Sequence, residues 1–278
     1  MSADATSGTG APPRACFYFS AHEDDWQLFM NPSAFRDVIA GAHCVFVHVT
    51  AGDAGFGTGD GGRKHPLYLA REHGAESAIR FMADQDWQTP EESTIAAAMC
   101  NGHTLRRVNY RNTVGYFLRL PDGSPQGTGY AATGEQSLTR LAEGRIASFR
   151  TIDGGATYRG WNDLVTTLRE LIAVERGAAP TVDLHIPDPD PARNPGDHAD
   201  HVMTAQAVLD AAKEVAGACV TYHLGYAGES RPENLSGQDR DMKCAVYAVT
   251  LAGLNAFDHP SAWRHYDESY IGRDYWRS

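Results

Sequence analysis

The chain has 278 residues, 42% of them apolar and 21% charged, the balance of a soluble globular protein long enough to bury a core without metals or disulfides as staples. Its formal net charge of −11, with no Lys/Arg-rich stripe set against it, argues against a nucleic-acid or anionic-membrane surface and favours a neutral or cationic partner. Five cysteines (Cys16, Cys44, Cys100, Cys219, Cys244) show no CxxC spacing, which fits reduced, mostly buried thiols in a cytoplasmic protein better than a disulfide framework or a zinc ribbon.

Residues 1–14 are small, polar and Pro/Gly-rich and read as a flexible leader without the basic and apolar regions of a secretory signal. Residues 15–278 are expected to form one domain with insertions, and no uncharged apolar run approaches the roughly 18 to 20 residues that span a bilayer. CFYFSA (16–21) and AGAHCVFVHVTAG (40–52) are apolar, aromatic and glycine-bounded, as buried parallel strands are. Between them, residues 25–40 have near-helical apolar spacing interrupted by Pro32, so the three segments make a βαβ unit. DAGFGTGDGGRKHP (53–66) holds too many glycines for an element interior and lacks a phosphate-loop pattern; it reads as a flexible loop bordering a site.

Residues 67–83 carry a long helical pattern. From 93 to 120, an Asn101-Gly102 pair between β-compatible runs predicts an antiparallel hairpin insertion followed by a strand that ends at PDG (121–123). After a Gly-rich loop come a helix over 161–176 with Asn162 as its cap, a strand over 180–187, a helix over 198–216, a strand over 218–226 and a helix over 236–254 started by Ser236 and Asp239. The aromatic tail from Asn255 is expected to dock on the surface. This alternation predicts an α/β fold, a Rossmann-like and mostly parallel sheet with helices on both faces and an antiparallel hairpin insertion.

Two acid and histidine clusters stand out. AHEDDW (21–26) follows the first strand, and NPGDHADH (194–201) follows the strand at 180–187. Ligands in such folds bind beyond the carboxyl ends of strands, so both clusters fall on one rim. His22 and Asp25 are three apart, as are His198 and His201, a spacing that places both side chains of a pair on one side of a turn. A catalytic zinc takes three protein ligands: the first cluster can supply two and the second a third, leaving Asp24 as base and a neighbouring histidine as acid or oxyanion partner. Taken singly, each cluster also suits a plain helix start, AHEDDW by its acids and DHADH through capping by Asp197. The strand histidines His43, His48, His103, His185 and His223 are expected at core or rim positions rather than as ligands.

AHEDD followed at a distance by HADH resembles the paired AHPDDE and HPDH signatures of the PIG-L (LmbE-like) zinc-dependent de-N-acetylases. VTAGDAG (49–55), AREHGAESA (70–78) and LRLPDG (118–123) resemble further segments of that family, so the likeness covers residues 16 to about 250. It implies Zn2+ held by His22, Asp25 and His201, with Asp24 as general base. It further implies His198 as oxyanion partner or acid, Asp200 orienting His198, and Arg71 and Asp122 holding substrate. For the last two, a solvated helix face and a turn aspartate are the plain alternatives. Two letters depart from the signature, Glu23 for proline and Trp26 for glutamate, and Trp26 beside the site suggests a bulkier or more aromatic substrate. The implied function is removal of an N-acetyl or other N-acyl group from an amino sugar or glycoconjugate. A zinc amidase or lyase acting on a non-sugar metabolite, or a non-catalytic binding module, are the alternatives. The partner is then a small-molecule N-acyl substrate; a homo-oligomer is compatible with the sequence.

Overall fold

The computed structural model describes residues 14–278 except 86–88, 90 and 261. All of the expected leader except Arg14 lies outside the described residues. The apolar run ACFYFS forms β1, Ala15–Ser20, buried along its whole length. The predicted helix after it divides at Pro32 into α1, Asp25–Phe29, and α2, Ser33–Ile39, before β2, His43–Thr50. The glycine-rich loop then leads to α3, Leu67–Ala83. The Asn-Gly pair turns β3, Thr94–Cys100, into β4, His103–Tyr110, and β5, Thr113–Leu120, follows.

Beyond the Gly-rich loop lie α4, Leu138–Ala142, and a two-stranded ribbon of β6, Phe149–Arg150, and β7, Thr157–Tyr158. The long helix α5, Trp161–Arg176, begins after Gly160, so Asn162 sits inside its first turn rather than capping it. The chain continues through β8, Val182–Pro187, α6, Ala199–Ala212, β9, Ala218–His223, and α7, Gly237–Ala256. Ser236 stands at the cap of α7 but makes no side-chain capping bond; Asp239 in the first turn pairs with Arg36 at 2.6 Å.

The tail departs from expectation. After α8, Trp263–Tyr266, and a π-helical turn, Asp267–Ile271, it closes as β10, Trp276–Arg277, which pairs antiparallel with β9. Tyr270 and Ile271 are buried in the core, so the tail is an edge strand and a core element rather than a surface appendage. Its aromatic residues supply apolar area that a polar terminus would not.

The sheet order is β10-β9-β8-β1-β2-β5-β4-β3. The five strands from β9 to β5 are parallel, with antiparallel strands at both edges. Alternation along β1 sends Phe17 and Phe19 into a core with α4, α5 and α6 on one face, and Cys16 and Tyr18 into a second core with α1, α2, α3 and α7 on the other. α3 and α7 approach most closely at Gly74 and Gly253, where a Cβ on Gly253 would stand 2.6 Å from the Gly74 Cα. All five cysteines carry free thiols, with Cys219 exposed and Cys244 half-buried. No helix among the described residues is long and apolar enough to cross a membrane.

The strand histidines are absorbed into packing. His43 meets Glu175 at 3.0 Å and His103 meets Asp163 at 2.9 Å. Fully buried His48 makes two bonds that fix its tautomer: its Nδ1 donates to the Tyr116 carbonyl at 3.0 Å and its Nε2 accepts from the Trp26 indole at 3.2 Å. Burial pulls its pKa down to about 4, the Tyr116 carbonyl opposing. The unfolded chain takes up this proton below the ordinary value of about 6.5, whereas the folded chain resists until about 4, so stability is lost as pH falls through that window. A His48→Gln variant, which keeps a donor and an acceptor but does not titrate, is expected to remove up to about 3 kcal/mol of the acid-side loss. Chemical denaturation of both proteins at pH 7 and pH 4.5 checks this, and parallel losses would contradict it.

Candidate metal centre

β1 and β8 are neighbours in parallel register, Ala15 opposite Val182, so their carboxyl ends open on the same side. The segment after β1 turns tightly because the His22 backbone N–H donates to Asp25 Oδ2 at 2.7 Å. The segment after β8 enters α6 at His198, which itself caps the helix: its Nδ1 accepts from the Asp200 backbone N–H at 3.1 Å. Asp197 does not cap.

Three buried donors face one another across this crevice. His22 Nδ1 and Asp25 Oδ1 are 3.6 Å apart, Asp25 Oδ1 and His201 Nε2 3.2 Å, and His201 Nε2 and His22 Nδ1 3.3 Å. Donors at about 2.0 to 2.1 Å from a tetrahedral centre stand about 3.4 Å apart, so the triangle has the dimensions of three ligands of one ion. The electrostatics agree. Burial alone would lower the pKa of His201, but the Asp197 and Asp25 carboxylates raise it to about 10. His22 is likewise raised against burial, chiefly by Asp25. Burial opposes the charge of Asp25 too, yet His201 and His22 hold its pKa well below the carboxylate range. The group stabilises positive charge, as a cation site must.

Behind the triangle, Asp197 Oδ1 accepts from His201 Nδ1 at 2.9 Å, leaving Nε2 to face the other two donors. Asp197 is itself held by Asn194 Nδ2 at 2.6 Å. Sequence reasoning passed over this residue as a helix cap; the signal was its position four before His201, on the same side of the turn.

A second buried group shares His22. Its Nε2 lies 3.6 Å from Asp200 Oδ2 and 3.8 Å from Asp122 Oδ2, and His198 Nε2 lies 3.8 Å from Asp122 Oδ1. The two carboxylates are partly committed, Asp200 Oδ2 accepting from Gly123 N–H and Asp122 Oδ1 from Ser124 N–H. His22 Nε2 and Asp200 Oδ1 are buried without a hydrogen-bond partner. Both groups have the donor composition of a cation site, and the first is the tighter, with edges of 3.2 to 3.6 Å. His198 Nδ1 accepts from the Asp200 backbone N–H, and the Asp200 carboxylate stands 3.9 Å from the same nitrogen. Burial and the charge of His22 lower the His198 pKa to about 4, and with Nδ1 accepting, the proton sits on Nε2.

Asp122 is both a turn aspartate and a neighbour of His22 and His198, its backbone N–H held by Asp53 Oδ1 at 2.8 Å. Arg71 is no solvated helix residue: it donates to Asp24 Oδ1 at 2.5 Å and to Glu23 Oε2 at 3.1 Å. Gly52, at φ +50°, admits this pair, since a Cβ there would lie 2.5 Å from Arg71 Nε. Burial pushes the Glu23 carboxyl up to about 8, with Arg71 opposing. Trp26 is fully buried, packed 4.6 Å from the Phe46 ring and bonded to His48. It lies in the core and does not line the crevice, so the expectation that it enlarges the substrate is withdrawn. The crevice is a cavity of about 230 Å3 lined by His22, Asp24, Asp25, Arg71, Asp122 and His198, with aromatic walls from Tyr130, Tyr226 and Tyr266.

A family model described as PIG-L, GlcNAc-PI de-N-acetylase, matches residues 17–212, about 70% of the chain. The chain belongs to the PIG-L family. Family membership supports a de-N-acetylase hydrolase. Among solved structures, this PIG-L member is similar to the conserved protein TT1542 from Thermus thermophilus, at 15% identity and a TM-score of 0.43 over 95% of this chain and 92% of that one. It is also similar to the zinc-inhibited form of teicoplanin deacetylase Orf2, at 15% identity and 0.44 over 85% and 83%. A third likeness is to the A40926 pseudoaglycone deacetylase Dbv21, at 16% identity and 0.45 over 91% and 86%. No curated protein was found to match it.

Removing the carboxylate behind His201 leaves the three facing donors in place. Asp197→Asn is expected to lower Zn2+ affinity about 10- to 100-fold, read by competition against a chromophoric chelator. Unchanged affinity would show that the ion binds elsewhere.

Proposed function

We propose that this protein is a zinc-dependent N-deacylase that removes an acetyl or other acyl group from an amino sugar or glycoconjugate. What carries the proposal is the His22, Asp25 and His201 triangle with Asp24 and His198 lining the same crevice. Those three residues are assigned to hold the ion; two imidazoles and a carboxylate suit zinc. Bound there, zinc would supply Lewis acidity toward the acyl carbonyl and the attacking water.

Asp24 is the base that takes a proton from that water. Arg71 fixes the Asp24 carboxylate at the mouth of α1, so its position does not depend on the substrate. As the C–O bond forms, charge grows on the former carbonyl oxygen, and the neutral His198 offers it the Nε2–H. The C–N bond then breaks, the leaving nitrogen receives the proton that Asp24 holds, and a carboxylic acid and an amine result. Asp200 and Asp197 are positioning residues for His22 and His201. Asp122 is assigned to accept from a substrate hydroxyl, and the tyrosine walls offer apolar faces to a sugar ring. Residues 15–278 act as one domain, and the free thiols fit a reducing, cytoplasmic compartment.

Asp24→Ala is expected to keep one equivalent of zinc and lose turnover by roughly 10²- to 10⁴-fold, whereas His201→Ala loses the metal itself. Metal analysis beside amine release from N-acetylglucosamine derivatives reads both. Full hydrolysis by a metal-depleted enzyme would overturn the mechanism.

A further inference from the structure

A second cavity, of about 350 Å3, opens beside the crevice and shares Asp24, Arg71 and Tyr266 with it. Its wall is largely apolar: Phe56 from the glycine-rich loop, Leu67 at the start of α3, and Tyr247, Leu251 and Leu254 along α7. Three of the nitrogen-bearing side chains at its margins already have partners. Arg71 is taken by Glu23 and Asp24, Arg63 Nη1 donates to the Asp258 carbonyl at 2.7 Å, and His259 Nε2 donates to the His65 carbonyl at 2.9 Å. An anionic ligand would have to compete for side chains that are already bonded, whereas an apolar one gains from the remaining surface. Phe56 is 55% exposed at this cavity, an apolar side chain left in water unless something covers it. The size suits a small-molecule site.

We infer that this second cavity binds an uncharged apolar arm of the substrate, aliphatic or aromatic, while the amide sits in the crevice; this rests on the N-deacylase reading above. Asp24, Arg71 and Tyr266 line both cavities, so the two adjoin at the proposed base. The α7 and tail side of the pocket, Tyr247, Leu251, Leu254 and Tyr266, lies beyond the residues 17–212 that match the family model, whereas Phe56 and Leu67 lie within them. Glu23, one of the two departures from the signature, lines this cavity as well.

Two substrate series test the inference on the zinc-loaded enzyme and distinguish the two sources of an apolar arm. In one, glucosamine carries N-acetyl, N-butanoyl, N-hexanoyl and N-octanoyl groups; in the other, N-acetylglucosamine carries methyl, butyl and octyl aglycones. One series is expected to gain about threefold in kcat/KM per methylene, and the one that does names the arm. Leu254→Trp and Leu67→Trp, which fill the cavity from α7 and from α3, are expected to bring the long-to-short ratio toward one, with thermal melts confirming that each variant is folded. Flat series with both kinds of arm, while the acetyl compounds are cleaved, would overturn the inference. Calorimetric binding of monomeric n-octyl glucoside, which has no amide, reads the cavity independently of hydrolysis. A loss of at least tenfold in affinity in either folded variant supports the pocket even if no amide is cleaved, and equal affinity in wild type and variants overturns it.

Discussion

The parallel pairing of β1 with β8 is the constraint on which the site depends. Because the two strands run side by side in register, the chain leaves both at the same edge, toward α1 after one and α6 after the other. β2 lies on the opposite side of β1, so successive connections diverge and leave a crevice at the strand ends. His22 and His201 are 179 positions apart in sequence, yet their ring nitrogens stand 3.3 Å from each other. Without that pairing each cluster would be a helix start and nothing more.

Burying so many ionisable groups in one place is tolerable only because each charge has an answer. Asp197 answers His201, Arg71 answers Asp24 and Glu23, and Glu72 takes a bidentate contact from Arg119 at 2.6 and 2.8 Å. Asp25 sits between two imidazoles. The same carboxylates that favour positive charge on His22 and His201 would favour a cation between them. His198 is the exception: the neighbouring charge of His22 and burial keep it neutral, which leaves a donor rather than a second cation at the crevice.

The two departures from the family signature have separate consequences. Trp26 turns inward, where its indole supplies the hydrogen bond that buried His48 needs, so the change is absorbed by the core. Glu23 turns toward Arg71 and the second cavity, so its effect falls on the wall beside the reacting groups. Two letters three apart in one motif thus meet different surroundings, Trp26 the core and Glu23 the cavity wall, which spacing along a chain does not reveal.

Much of this was legible without coordinates. Apolar runs bounded by glycine and proline marked the strands, the Asn101-Gly102 turn marked the hairpin, and the helix over 67–83 fell where its periodicity put it, because these depend on contacts between residues close in sequence. The pairing of AHEDD with HADH on one rim also followed from a general rule about strand ends. Other features depended on partners distant in sequence: the tail's strand on β9, the inward turn of Trp26 on His48, the ion pairing of Arg71 on Asp24 and Glu23, and the contact of Asp122 with two histidines. Residue types and order determined which chemistry this chain can do. Only the tertiary structure decided which donors meet, which charges are answered and what lies beside them, because those are distances between segments that the chain order leaves free.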